Sequence, residues 1–218
     1  MVRSIRAAMT AAGLAAAAVL TTGASADEAK APPKSVPPGV PLVLTVSGKV
    51  KYTFDPAPLT ADAYKKAIDN AAKPGKKGLG FGGKLPNPPV VDLTVELKNT
   101  SDKALTVWTK GDPVVLTLNL AGAGSANLDP PIAMTQEFRI PQETKLEPGK
   151  SYSWPVKQLK SGMRGATHYS YWTGPGEYEL TASLRTGVQP VPKGATDNDG
   201  FGVVTLTSVP LKLTVEGK

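Results

Sequence analysis

The chain has a single histidine, His168, and no cysteine. These two counts bound the chemistry it can do. A histidine oriented by an acid can deprotonate a serine, and Ser161 and Ser170 stand near His168 in sequence. Neither serine sits in the Gly-x-Ser-x-Gly elbow that presents such a nucleophile. One histidine cannot build a multi-histidine metal site, and without cysteine there is neither a thiolate nucleophile nor a Cys-ligated zinc or iron–sulfur site. Asp197-Asn198-Asp199-Gly200 has the oxygen-rich start of a calcium loop, but the closing Glu at the twelfth position is missing in either register, which favours a polar turn between strands. Gly78-Leu-Gly80-Phe-Gly82-Gly83-Lys84 fits a glycine-rich phosphate loop by spacing. Leu85 replaces the hydroxyl residue that should follow, and Pro86-Asn87-Pro88-Pro89 is a poor start for the helix such a loop needs. Glu177 and Glu179 share one strand face, where carboxylates ordinarily solvate the outer surface of a sheet. The residues therefore predict no catalytic or metal site, no cofactor, and a protein that is not an enzyme.

Two stretches are better suited to binding. Arg164, His168, Tyr169, Tyr171 and Trp172 crowd into one short run, a composition that suits sugar stacking or protein contact if it lies on a surface. The alternative is that Tyr169 and Tyr171 pack into a core while Trp172 covers its end. The second stretch is basic. The net charge is +7, of which the first residues carry +2 through Arg3 and Arg6. Residues 64–84 hold six lysines against Asp69 alone, a net +5, and the rest balances to zero. Lys65, Lys66, Lys76, Lys77 and Lys84 are the candidates for contact with an anionic surface such as cell-wall polymer, acidic polysaccharide or lipid headgroups; a solvated helix face and loop is the plainer reading. Nucleic acid is not expected as a partner, because no recognition motif accompanies the lysines.

The N-terminus predicts export. Arg3 and Arg6 precede an alanine-rich apolar stretch over 7–20, and Ala24-Ser25-Ala26 is a small-x-small cleavage site, so residues 1–26 read as a signal peptide. The apolar stretch is short for a membrane span, so no transmembrane segment is expected after cleavage. Residues 27–41, rich in Pro and Lys, read as an extended tether, and 42–218 as a single domain in the periplasm or outside the cell. Its stability must come from a core rather than from disulfides.

The elements that would position these residues are mostly strands. Pro175-Gly176 runs into strict alternation, with Tyr178, Leu180, Ala182 and Leu184 on one face and Glu177, Glu179, Thr181 and Ser183 on the other. Similar alternation spans 42–54, with a turn or bulge at Gly48, and then 90–98, 104–109 and 114–120. Met134, Phe138 and Ile140 suggest a further strand. Pro155 beside Tyr152 and Trp154 marks an edge strand. In the last segment the parity changes between Val204-Leu206 and Leu211-Leu213, so 208–210 should hold a bulge or bend. One helix is expected over about 60–73, capped by Thr60 and stopped by Pro74-Gly75, and a basic Gly/Pro-rich loop over 74–89. The expected fold is all-β: an antiparallel two-sheet β-sandwich with one short helix inserted near the N-terminus.

Gly176-Glu-Tyr178-Glu-Leu180 resembles the Gly-x-Tyr-x-Cys strand start of immunoglobulin-like domains, with Leu180 where the second disulfide cysteine would sit. The resemblance implies that Tyr178 is a tyrosine-corner residue. The stretches 97–107 and 146–150 are similar to the corresponding pieces of bacterial Ig-like domains such as the BsuPI-type intracellular proteinase inhibitor domain. The resemblance covers 90–215 and implies an Ig-like fold; it transfers no functional residue, and the leader points away from an intracellular role. The expected function is an exported, non-enzymatic Ig-like module that binds or scaffolds an envelope protein or polysaccharide. The alternatives are a small-ligand or carbohydrate-binding protein and, on fold analogy alone, a protease inhibitor.

Overall fold

Alternating burial sets most of the strands, and it is cleanest where two sheets share one core. The structure, a computed structural model, describes residues 35–36, 39–72, 85–112, 114–129, 138–163 and 166–218. In chain order the elements are β1 (Ser35–Val36), β2 (Leu42–Gly48), β3 (Lys51–Phe54), α1 (Ala61–Ala72), β4 (Val90–Asn99), β5 (Leu105–Lys110), β6 (Val115–Ala121) and β7 (Ser125–Leu128). They continue with β8 (Gln142–Leu146), β9 (Ser151–Gln158), β10 (Lys160–Met163), β11 (Ala166–Trp172), β12 (Gly176–Gln189), β13 (Thr196–Asn198), β14 (Phe201–Thr207) and β15 (Leu211–Gly217). The expected leader, the lysine-rich part of the loop after α1, and Arg164 lie outside the described residues. Among the described residues the protein is all-β with one helix.

The long strand β12 organises the first sheet. One of its edges pairs with β15 and then β14; the other pairs with β6 and then β5. Between the pairs Leu184↔Leu206 and Leu180↔Leu211 the partner strand has one residue more than β12. That extra residue turns Val204 and Leu206 on one side of the break, and Leu213 and Val215 on the other, to the same core. Ser208 spans the bulge. Its N–H donates to the Ala182 carbonyl at 2.8 Å, and its hydroxyl accepts from the Ala182 N–H at 3.0 Å. The parity change expected from sequence is this bulge, and both halves stay on β12.

The second sheet is β2-β4-β9, antiparallel, with Pro155-bearing β9 at its edge. Its β2 packs on β12 and β14, and Leu44, Val95, Leu97, Leu180, Leu184 and Leu213 belong to one buried cluster. The chain passes from this sheet to the first at Gly48. Its φ is +131° and a Cβ there would lie 2.5 Å from the Asp92 carbonyl oxygen, so only glycine fits. After it, β3 pairs in parallel with β15.

Three differences from the expectation have physical causes. First, the described strands form three sheets rather than two. The third, β10-β11-β7, lies against β6 but joins it through side chains. The Leu118 N–H donates to Ser161 Oγ at 2.9 Å, and Ser170 Oγ donates to the Leu118 carbonyl at 2.7 Å. Asn127 accepts from the Leu120 N–H and donates to its carbonyl, at 3.0 and 2.9 Å. Three polar side chains thus satisfy backbone groups that a neighbouring strand would otherwise satisfy. Second, not all pairs are antiparallel, because β3 reaches β15 only after crossing between sheets. Third, Phe138 and Ile140, 70% and 79% exposed, are not in a strand. Their backbone is tied to the turn after β5, where the Asp112 N–H bonds the Arg139 carbonyl at 2.9 Å, and pairing with β5 begins only at Gln142. Met134 lies outside the described residues.

Candidate functional site

An aromatic groove forms where β3 runs into α1. Along β3, Tyr52 and Phe54 turn inward while Lys51 and Thr53 face out. The strand ends at Phe54 and is followed by Asp55, whose carboxylate accepts from the Ala57 N–H at 3.1 Å and from Lys218 Nζ at 2.9 Å. The Lys218 hydrogen bond, then the Ala57 N–H, hold this carboxyl below its usual range. Thr60 caps α1, with its hydroxyl accepting from the Ala63 N–H at 3.2 Å, and this sets the first turn so that Tyr64 is buried. The Tyr64 ring meets Phe54 edge-on at 5.7 Å and Tyr171 at 6.5 Å. Burial pushes its hydroxyl up to about 12, and raises Tyr171 as well.

The opposite wall is a proline strap, Leu85-Pro86-Asn87-Pro88-Pro89, which leads into β4 without the helix a phosphate loop requires. Proline has no N–H to satisfy, so its carbonyls anchor the strap: Pro86 accepts from Tyr171 Oη and Pro89 from the Leu159 N–H, each at 2.9 Å. Trp172, at the end of β11, leans on Tyr52 at 5.3 Å and on Tyr178 at 6.3 Å. Between strap and helix lies a cavity of about 700 Å³, lined by aromatic and proline rings with Thr53, Asp55 and Asn87 as its polar members. Leu59 and Val90, on its lining, are 41% and 72% exposed.

The structure disperses the aromatic run that sequence treats as one surface. His168, Tyr171 and Trp172 are buried and Tyr169 is half-buried. Of these residues only Trp172, 4% exposed, lines the groove. Alternation along β11 is the cause, since neighbouring side chains leave opposite faces. His168 Nδ1 lies 2.8 Å from Asp129 Oδ1, and Nε2 is buried without a hydrogen-bond partner among the described residues. The hydroxyls of Ser161 and Ser170 engage Leu118, and neither is bonded to His168, so no Ser-His-Asp relay is assembled. Of the lysines proposed for an anionic surface, Lys65 and Lys66 are exposed on α1, with Lys65 paired to Asp69 at 2.5 Å. Lys76, Lys77 and Lys84 lie outside the described residues. Asp199 and Gly200, with φ +52° and +82°, form a two-residue hairpin turn between β13 and β14, and Asp197 accepts from the Gly200 N–H at 2.9 Å. That is turn chemistry, and no cluster of three metal-ligating side chains occurs among the described residues.

Sequence reasoning missed the groove because its parts come from three stretches far apart in the chain, 52–64, 85–90 and Trp172. The available signals were the inward parity of Tyr52 and Phe54, the buried face of the helix at Tyr64, and the prolines at 86, 88 and 89. No family model matches the chain, and no curated protein matches it.

Proposed function

We propose that this protein is an exported, non-enzymatic Ig-like binding module of the cell envelope, with the groove between β3, α1 and the proline strap as its ligand site. The observation that carries the reading is the groove itself: a sizeable, largely apolar concavity walled by rings, with few polar groups and, among the described residues that line it, no nucleophile–base pair. An aromatic- and proline-lined groove suits an extended, proline-containing segment of an envelope protein, whose conformation costs little entropy to fix. Thr53, Asp55 and Asn87 favour a second reading, in which a sugar ring stacks in the groove and these groups receive its hydroxyls.

The Ig-like assignment draws support from strand order. On this reading β2-β4-β9 would be strands A-B-E, and β3, β15 with β14, β12, and β5 with β6 would be a second sheet in the order A′-G-F-C. Tyr178 Oη donates to the Gly174 carbonyl at 2.7 Å, the bond expected of a tyrosine corner at the start of strand F. On this reading α1 and the third sheet are additions, and the similarity to BsuPI-type domains concerns fold alone. Export rests on the leader; among the described residues no helix is long and apolar enough to cross a membrane.

The test is an NMR titration of labelled protein with a proline-rich peptide and, separately, with chitotetraose. One of them should shift resonances of Tyr52, Tyr64 and Asn87, and Leu59→Arg or Val90→Arg should suppress the shift. Perturbation confined to other faces, or unaffected by both variants, overturns the assignment.

A further inference from the structure

A second concavity, of about 420 Å³, lies at the other end of β12. Its floor is Leu105 and Val188, both buried, and its walls are Pro41, Pro190 and Pro192 with partly exposed Val191. Its charged members are Lys103 and Lys193, both exposed; among the described residues no acidic side chain lines it and neither lysine makes a salt bridge. We propose that this pocket binds an aliphatic carboxylate, with the chain on the apolar floor and the carboxylate between the two ammonium groups. This goes beyond the binding role assigned to the groove.

Both walls are fixed before any ligand arrives. On one side buried Asn99 organises the turn that carries Lys103: its Nδ2 donates to the Lys103 and Leu146 carbonyls at 2.7 and 2.9 Å, and its Oδ1 accepts from the Ser101 N–H at 2.9 Å. The Thr100 N–H ties Pro41 to the same turn at 2.9 Å. On the other side the loop carrying Lys193 closes on itself, with Ala195 N–H bonded to the Pro192 carbonyl at 3.0 Å. That loop rests on Gly202, where a Cβ would lie 2.5 Å from Pro192 Cδ. A pocket already shaped binds without paying for loop ordering. The charge selects an anion.

Wall chemistry decides what kind of anion. Three lining residues are prolines, which offer no N–H. A peptide laid along them would lose water from its amides without gaining donors, whereas an alkyl chain has no amides to satisfy. An acyl carboxylate is therefore favoured over a peptide C-terminus.

The test titrates the full-length mature protein with octanoate, following Leu105 and Val188 amide resonances. Two exposed ion pairs support roughly tenfold tighter binding of octanoate than of 1-octanol, and octylamine should be weaker still. Lys103→Gln with Lys193→Gln should remove that tenfold preference while circular dichroism stays unchanged. Leu59→Arg, in the aromatic groove, should leave octanoate binding intact. Equal binding of octanol and octanoate, unchanged octanoate binding in the double variant, loss of binding in Leu59→Arg, or tighter binding of acetyl-Ala-Ala-Val with a free carboxylate would each overturn the proposal.

Discussion

Tyr178, Glu179 and Leu180 show how little chain is needed to fix an orientation. Their parity predicts Tyr178 and Leu180 inward and Glu179 outward, and the structure has Tyr178 and Leu180 at 1% and 0% exposure with Glu179 exposed. Leu180→Ala should cost roughly 2–5 kcal/mol, the transfer and cavity penalty of a core leucine. Tyr178→Phe, which removes the bond to Gly174, should cost about 1 kcal/mol. Glu179→Ala should stay within about 0.5 kcal/mol of the parent. Urea unfolding of the three variants decides; a Glu179→Ala as damaging as Leu180→Ala would mean that the strand faces the other way. Tyr64 gives a second residue-scale prediction. Its folded-state value is raised from 10.0 to about 12, so its contribution is complete below pH 10 and is lost as pH rises through 12. Stability should fall across that alkaline window, and Tyr64→Phe should make the fall shallower. An unchanged slope would remove Tyr64 from the account.

At the scale of elements, strands were legible wherever a run of alternating residues had one dry face. β4, β12 and the β14–β15 pair with its parity change follow from periodicity alone, and α1 from its cap and apolar spacing. The third sheet was not legible. β7 and β10 are four residues each, and what holds the sheet to β6 is a set of side chains rather than a hydrophobic pattern. The groove was equally hidden, since no periodicity announces that residues 52–64, a proline strap and Trp172 converge. Phe138 and Ile140 misled because apolar residues imply a strand only when something covers them. The seam yields a sharp prediction. Asn127→Ala leaves both Leu120 backbone groups without their partner, at a cost of about 1–3 kcal/mol. Hydrogen exchange at the Leu120 amide should quicken more than at Leu213, which lies within the β12–β15 pairing. Equal acceleration at both sites would show that the seam is not a local joint.

The described fold is built around β12, whose two edges collect four strands; near its start Tyr178 meets Trp172 of the groove, and near its end Val188 lines the second concavity. The crossing at Gly48 sends β3 to β15 and so carries Tyr52 and Phe54 to the end of the first sheet, where Trp172 and α1 meet them. The groove is thus a consequence of chain path: a rigid core holds rings at its end. On the proposed function, this end and not the sheet faces meets the ligand. The direct measurement places a photoreactive benzoylphenylalanine at position 90, beside the groove, or at position 179, on the outer face of β12, and crosslinks each protein in its native envelope fraction. Discrete adducts are expected from position 90, lost when Leu59→Arg is added, and none from position 179. The same adducts from both positions, or none from position 90, would contradict the proposed function.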